Sequence, residues 1–288
     1  MSIIINKKKC NVNGKRITVN AEVFNSADEC VKVCHSRQMT DSSFHDMPRE
    51  ADSNRDWYGA GYEETMNLLK NGYQPTVEAL RGVFRATVAG EGKRFKFQNA
   101  PVGFAPVVPL ALMGVPNSML DMRMKPIKAK VVDVFMDMTC SCGTSSEQIM
   151  EASKKILSAV IELEKQGYRF NLYSCSGYFD SSTGDAVCVK VKSAEQPLDL
   201  KRVSFPMAHT SFFRVVGFDW YSKFPIGKYR CGYGHAAYFE FKKNTKELYQ
   251  QIFGKKNIVF FSVQELVNND NDVKSIKEEL ENGNSKNR

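Results

Sequence analysis

The amino-acid sequence predicts an α/β protein, with a parallel-sheet half in the C-terminal part of the chain and an α+β portion before it. Three observations lead to this prediction. The apolar run over residues 129–138 is nearly continuous, as in a strand that is buried on both faces. A long stretch with apolar residues at helical spacing follows and ends at Gly167. Apolar strands at residues 170–175 and 186–191 complete a strand–helix–strand order, which is typical of a parallel sheet covered by helices.

The composition is that of an ordinary folded protein. The 288 residues include 40 Lys and Arg and 32 Asp and Glu, a formal charge of +8, and 42% of the residues are apolar. These values exclude wholesale disorder and coiled-coil rods. No apolar run approaches the roughly 18 residues of a transmembrane helix, so we expect no membrane partner. The opening MSIIINKKKC has its lysines after a short apolar patch, which is the wrong order for a secretory signal.

The sequence pattern changes near residue 127, and we expect the chain to have three parts. Residues 1–126 form the N-terminal α+β portion, with a hairpin and a proline-rich loop. Residues 127–265 form the α/β domain, and residues 266–288 form a helical tail with a frayed, polar end.

The N-terminal portion begins with a predicted β-hairpin. Residues 3–24 contain two apolar strands around the Asn-Gly turn at positions 13–14. Ser26 is suited to cap a short helix after the hairpin. Residues 36–56 are polar and lack periodicity, so we expect a loop there, followed by a helix over residues 62–71.

Two strands and an ordered loop are predicted next. Residues 83–88 and 95–97 have the composition of strands on either side of a glycine-containing turn. Residues 101–116 contain four of the ten prolines and are strongly apolar. We therefore expect an extended loop that packs over a core.

The elements of the C-terminal half have local start and stop signals. A serine at position 145 or 146 is the expected N-cap of the long helix, and Gln148 stands at capping-box distance from the first of these serines. We expect helices at residues 207–221 and 244–253, and a further strand at residues 258–263.

The eight cysteines are expected to be free thiols in a cytosolic chain. No export signal is evident, and Cys175 and Cys188 lie inside apolar strands, where a thiol behaves as a small apolar group. The local pairs at positions 30/34 and 140/142 lack the second pair that a structural zinc site requires.

Polar oxygen-bearing side chains follow the first strand of the α/β half. The sequence DMTCS has Asp137, Thr139 and Ser141 at alternating positions before the capped helix. The carboxyl end of a parallel strand is where α/β folds bind ligands, and oxygen ligands suit a hard divalent cation. The same residue types also cap loops before helices, so the sequence leaves both interpretations open.

Residues 127–263 resemble a von Willebrand factor A-type domain, whose metal-ion-dependent adhesion site has the motif D-x-S-x-S at this place. The resemblance implies that Asp137, Thr139 and Ser141 bind Mg²⁺ together with Thr210, which matches the family's second element. It also implies that a partner binds at the strand edge near Asp137. The family's third element, an Asp after a central strand, has no match here, so the resemblance implies an incomplete site.

The chain as a whole resembles an uncharacterised family of bacteriophage proteins. The similarity lies in the WYG sequence at 57–59, the acidic pair at 63–64, the NGY sequence at 71–73 and the proline-rich stretch 101–116. This resemblance implies a viral protein in the cytoplasm of an infected bacterial host.

The predicted function is that of a non-enzymatic, phage-type accessory protein that binds a protein partner. A host factor, or a host anti-phage defence complex that the protein inhibits, is the expected partner. None of the four histidines stands at a recognisable spacing from a nucleophile, so a metal-dependent hydrolase is the weakest alternative. The sequence also leaves a homo-oligomer open.

A nucleic-acid-associated protein is the stronger alternative, because the basic residues are clustered. Residues 1–16 contain five basic residues and no acid, and residues 77–130 contain nine basic and three acidic residues. Basic side chains near aromatic ones bind phosphates and stacked bases. The side chains predicted for such contacts are Lys7, Lys8, Lys9, Lys93, Arg94 and Lys96.

Overall fold

The structure is a computed structural model of the chain. It describes residues 2–12, 14–40, 46–88, 95–124, 130–180, 182–227, 244–269 and 273–282. For residues 84–88, 95–96 and 123–124 it describes the backbone without the side chains.

The described strands form two sheets. The strands are β1 (Ile3–Val12), β2 (Lys15–Phe24), β3 (Phe95–Ala100), β4 (Ala105–Pro106), β5 (Met119–Met124), β6 (Lys130–Asp137), β7 (Tyr168–Phe179), β8 (Thr183–Lys192) and β9 (Ile258–Ser262). The larger sheet has the strand order β1-β2-β8-β7-β6-β9, and the smaller has the order β3-β5-β4.

The helices of the described residues lie before, between and after these strands. They are α1 (Ala27–Ser36), α2 (Met47–Ser53), α3 (Arg55–Tyr58), α4 (Tyr62–Asn71), α5 (Gln74–Val88), α6 (Val108–Leu112), α7 (Ser146–Lys165), α8 (Leu200–Ala208), α9 (Phe218–Lys223), α10 (Thr245–Phe253), α11 (Val263–Asn268) and α12 (Val273–Asn282). A π-helix, Phe212–Gly217, lies directly before α9. None of these helices combines the length and apolar composition needed to cross a membrane.

The predicted α/β class is confirmed, and the larger sheet is mostly parallel. Strands β2 and β8, β7 and β6, and β6 and β9 pair in parallel. The prediction of a parallel sheet is wrong for one pair of strands in this half, because β7 and β8 pair antiparallel. Only residues 180–182 separate these two strands, and a parallel connection needs a crossover of about a dozen residues or more.

The predicted N-terminal hairpin is confirmed, and it extends the sheet of the C-terminal half. Strands β1 and β2 pair antiparallel, and β2 then pairs with β8 from Thr18 opposite Thr183 to Phe24 opposite Val189. The sheet therefore includes strands from both sides of the expected boundary after residue 126.

Both faces of the sheet are buried, as the continuous apolar run of β6 predicts. Val134 faces the cluster formed with α7 and α8, where Ile156 lies. The next residue, Phe135, faces the opposite cluster, where Tyr249 of α10 lies. Burial on both sides explains why residues 130–137 lack the alternating pattern of a half-exposed strand.

The long helix α7 begins and ends as predicted. Ser145 is its N-cap, and the backbone N–H of Gln148 donates to the Ser145 hydroxyl at 3.3 Å. In return, the Ser145 N–H donates to Oε1 of Gln148 at 2.9 Å, which completes the capping box. Gly167 follows the helix with a φ of 92°, a conformation that favours glycine.

Three predictions for the N-terminal portion are wrong. The expected loop over residues 36–56 contains α2, which begins with a proline in its first turn. The expected strand at 83–88 is the end of α5, since Val77 and Leu80 of that helix are buried at helical spacing. Residues 101–116 do not pack over a core but are largely exposed and include α6.

Candidate functional site

The candidate site lies where β6 ends at the carboxyl edge of the sheet. Asp137 is the last residue of this strand, and it stands opposite Cys175 of β7 and Ser262 of β9. The loop from Asp137 to Ser145 leads into the N-terminus of α7. We refer to residues 137–144 as the edge loop.

Asp137 is completely buried and is bonded within its own loop. Its Oδ1 accepts hydrogen bonds from the backbone N–H of Thr139 at 2.9 Å and from the Thr139 hydroxyl at 2.6 Å. Its Oδ2 is buried without a hydrogen-bond partner. Burial raises the pKa of Asp137 to about 7, against the lowering effect of the two bonds from Thr139.

Gln264, just after β9, binds the far side of the edge loop. Its Oε1 accepts from the backbone N–H of Ser141 at 2.6 Å and from the Thr144 hydroxyl at 3.3 Å. The hydroxyls of Ser141 and Thr144 are themselves 3.5 Å apart. The amide oxygen of Gln264 therefore fixes the loop through neutral hydrogen-bond donors.

Thr210 lies beside the start of α7. Its hydroxyl is 2.9 Å from that of Ser146, and Thr210 is almost fully buried. Gly59 covers this contact, because a Cβ on that glycine would lie 3.1 Å from the Thr210 Cβ. Gly59 has a φ of 83°, a left-handed conformation that favours glycine, and an added Cβ would fit only tightly against Thr210.

Arg214 of the π-helix is buried against the edge loop. Its Nη2 donates to the carbonyls of Ser141 at 3.1 Å, Thr144 at 3.3 Å and Cys142 at 3.5 Å. Its Nη1 donates to the carbonyl of Trp57 at 2.6 Å, and the guanidinium lies 4.7 Å from the centre of the Trp57 ring. Arg214 thus joins the loop to a distant N-terminal segment.

Three of the four predicted site residues lie on the edge loop, and the fourth, Thr210, contacts the helix that follows it. Asp137 and Thr139 are bonded directly, and Ser141 lies on the same loop. Thr210 meets the helix that follows the loop. Arg214 was not singled out from the sequence. Its signal was a lone charged residue in the apolar run FFRVVGF, which indicates a buried cation with a structural or functional role.

The arrangement of His209 and Ser211 is that of a local turn. His209 Nδ1 accepts from the backbone N–H of Ser211 at 3.2 Å and lies 2.9 Å from the Ser211 hydroxyl. Ser211 is completely buried, and burial lowers the pKa of His209 to about 4. A buried hydroxyl is out of reach of a substrate, so this pair gives no support to the hydrolase alternative.

The basic residues predicted to contact nucleic acid are only partly described. Lys7, Lys8 and Lys9 are exposed on β1, the outer strand of the sheet. Lys93 and Arg94 lie outside the described residues, and Lys96 lies on β3 without a described side chain.

The described residues contain no group of three His, Cys, Asp or Glu side chains that could hold a metal ion together. Seven cysteines are described, and all are free; Cys231 lies outside the described residues. Cys142 of the edge loop is exposed, whereas its neighbour Cys140 is buried.

The buried carboxyl group predicts a pH effect on stability. In the unfolded chain Asp137 ionises near pH 4, whereas in the folded protein it stays neutral up to about pH 7. Its stabilising contribution is therefore complete at low pH and is lost as the pH rises through 7. The unfolding free energy of Asp137→Asn minus that of the wild type is therefore expected to increase by on the order of 2 to 3 kcal/mol from pH 5 to pH 8.

Urea denaturation of both proteins at the two pH values tests this expectation. Because the pKa of His209 is low in the folded protein, this residue makes both proteins more stable as the pH rises from 5 to about 6.5. This effect is the same in both proteins, so it cancels in the difference between them. A difference between the two proteins that does not change with pH would show that Asp137 is ionised in the folded state.

The fold and the site define an α/β protein in which a polar loop at the carboxyl edge of a six-stranded sheet is held by side chains from distant parts of the chain. The chain belongs to the family described as a domain of unknown function (DUF7192), which matches residues 7–283. No curated protein and no solved structure matches the chain.

Proposed function

We propose that this protein is a non-enzymatic, phage-type accessory protein that binds a protein partner, and that residues 95–124 are its main contact. We call these residues the apolar arm. The observation that supports the proposal is an arm that is rich in large apolar side chains but has almost no core of its own. Of residues 97–122, whose side chains the structure describes, Ala100 alone is buried.

The apolar side chains of the arm form an exposed surface. Phe97 stands opposite Met122 in the antiparallel pair of β3 and β5, so the two side chains share a face of the small sheet. The ring of Phe104 is 6.1 Å from that of Phe97. All three side chains are exposed, and so are Val102, Val108, Leu112 and Met113. Large apolar side chains clustered on the surface of a folded protein are characteristic of an interaction site.

The charge distribution around the arm indicates the chemistry of the partner. Residues 101–120 contain no charged side chain. Lys96, Asp121 and Arg123 are the charged residues within the arm, and further basic residues flank it in the sequence, at positions 93 and 94 before it and at 125, 128 and 130 after it. The partner that fits is a protein with an apolar groove bordered by acidic side chains. A second copy fits less well, because arm-to-arm pairing would bring two basic borders together.

The strand edge is less suited to partner contact than the arm. Asp137 is completely buried, and Arg214 and Gly59 lie over the adjoining loop and helix start. We propose a von Willebrand factor A-like fold for residues 127–263, supported by the polar turn that follows the buried strand β6. We also propose that the protein acts in the cytoplasm of an infected bacterial host, and that its partner is a host factor or a host defence complex.

Nucleic-acid binding is the second candidate function. The exposed run Lys7–Lys9 on the outer strand favours it, since adjacent cations on a strand edge can contact a phosphate backbone. The same lysines also discourage strand-to-strand aggregation at a sheet edge, which requires no ligand.

Site-specific photo-crosslinking tests the arm proposal. A benzophenone side chain at position 112, which is 84% exposed in the wild type, should crosslink one protein in nuclease-treated extract of the infected host. The crosslink should persist in roughly 0.5 M salt, because apolar contacts are not screened. Phe104→Asp should weaken binding of that protein by about 30-fold or more, as expected for an apolar anchor of an interface.

Met39→Asp is the matched control. Met39 is an exposed apolar residue outside the arm, so the same change there should leave binding within about twofold. Loss of the crosslink after nuclease treatment would favour the nucleic-acid function. A crosslink only to a second copy, or sedimentation with anionic vesicles, would overturn the proposed partner. Equal effects of Phe104→Asp and Met39→Asp would overturn the arm as the contact.

A further inference from the structure

We infer that the guanidinium of Arg214 and the amide of Gln264 hold the edge loop in place of a divalent cation. The resemblance to an adhesion-site motif implies Mg²⁺ at Asp137, Thr139, Ser141 and Thr210. The contacts of these four residues and their neighbours do not fit that ion, for three independent reasons.

The first reason is that the oxygen atoms are already engaged. Asp137 Oδ1 accepts two hydrogen bonds from Thr139, at 2.9 and 2.6 Å. The Thr210 hydroxyl is paired with that of Ser146 at 2.9 Å. Asp137 Oδ2 is the acceptor left without a partner. Mg²⁺ usually keeps several waters in its octahedral shell, and a completely buried carboxyl group leaves no room for them.

The second reason is that a positive charge is already present. Arg214 is 4% exposed, and its Nη2 donates to three carbonyl oxygens of the loop at 3.1 to 3.5 Å. Backbone carbonyls that converge on a cation are a normal part of a cation site, and here the cation belongs to the chain. A second, divalent charge placed beside a buried guanidinium would be strongly repelled.

The third reason is the residue after β9. The adhesion-site motif has an acidic side chain after a central strand, whereas Gln264, just after β9, is neutral, and its Oε1 accepts from the N–H of Ser141 and the hydroxyl of Thr144. Both partners are hydrogen-bond donors. The amide oxygen of Gln264 therefore binds the loop itself, where the adhesion-site motif would bind a metal ion. The loop is thus closed from two sides, by Arg214 and by Gln264.

Arg214 also extends this closure to the N-terminal part of the chain. Its Nη1 binds the Trp57 carbonyl at 2.6 Å, and its charge lies over the Trp57 ring. The arrangement keeps the thiol of Cys140 buried next to the guanidinium, whereas Cys142 is exposed. The reactivity of Cys140 is therefore a direct measure of whether the loop is closed.

Metal titration of the wild-type protein is the first test, and it requires no variant. Calorimetry with MgCl₂ and with MnCl₂ should give no saturable heat. The melting temperature in millimolar MgCl₂ should match that in EDTA to within about 1 °C. A saturable heat that disappears in Asp137→Asn would overturn the inference.

The second test uses the alkylation rate of Cys140, followed by peptide mass spectrometry. Arg214→Met should raise this rate by about tenfold or more, because the opened loop exposes the thiol. Arg202→Met makes the same change at an exposed position of α8 and should leave the rate unchanged. If Arg214→Met does not fold, Gln264→Ala should still raise the rate by roughly threefold. Protection of Cys140 in both variants, or protection restored by added Mg²⁺, would overturn the inference.

Discussion

Glu22→Gln is expected to lower the free energy of unfolding by about 3 to 5 kcal/mol, because it breaks a buried charge network. The Glu22 side chain is completely buried, and its carboxylate accepts from both terminal nitrogens of Arg37, at 2.7 and 2.8 Å. It also accepts from the indole Nε1 of Trp220 at 2.8 Å and from the Ser2 hydroxyl at 2.6 Å. A glutamine amide has one acceptor oxygen, so it leaves several of these donors unpaired.

Glu151→Gln is the matched control for this prediction. Glu151 forms an ion pair with Lys154 at 2.6 Å, but its side chain is 60% exposed, so its loss should cost no more than about 1 kcal/mol. Urea denaturation in low salt and in roughly 1 M salt distinguishes the two cases, since salt screens only the exposed pair. Equal effects of the two substitutions would show that the Glu22 network adds no stability beyond that of a surface pair.

Gly72→Ala is the second substitution with a large expected effect. Gly72 ends α4 with a φ of +75°, and an added Cβ would lie 2.5 Å from the backbone oxygen of Lys201 and 2.9 Å from its Cα. The neighbouring Tyr73 N–H donates to the Ser204 hydroxyl, so this junction attaches α4 to α8. Backbone atoms cannot relieve a clash by changing rotamer, as a side chain can. We therefore expect the free energy of unfolding to fall by about 3 kcal/mol or more.

Gly14→Ala separates the steric cost of this change from its conformational cost. Gly14 has the same φ of +75°, but no atom lies within 4 Å of the position of an added Cβ. Its replacement should cost only about 1 kcal/mol, the cost of a left-handed backbone for alanine. Two equal losses in urea denaturation would contradict the close contact between Gly72 and Lys201.

Local sequence signals predicted the elements whose ends depend on nearby residues. The Asn-Gly turn predicted the hairpin of β1 and β2, and the capping box of Ser145 and Gln148 predicted the start of α7. The buried run over 129–138 predicted β6. Each of these signals acts over a few residues, so sequence alone contains the information.

Predictions failed where the outcome depends on distant contacts. Residues 83–88 have the composition of a strand, but they continue α5, whose inner face packs against α7 and α8. Residues 101–116 are as apolar as a core segment, yet the structure leaves most of them exposed in the arm. Apolar composition alone does not show whether a segment packs into the core of its own chain, because that depends on which other elements the fold brings to it.

By itself, the sequence determined the α/β class, strand β6 and the polar turn that follows it, because apolar periodicity, caps and turn residues act locally. Only the tertiary structure decided what holds that turn. Arg214 and Gln264 are far apart in the chain, and both bind the edge loop because the π-helix and the end of β9 bring them to it, while Arg214 also binds Trp57. Hydrogen bonds and charges act over a few ångströms in space, so no spacing along the sequence could have predicted their contacts.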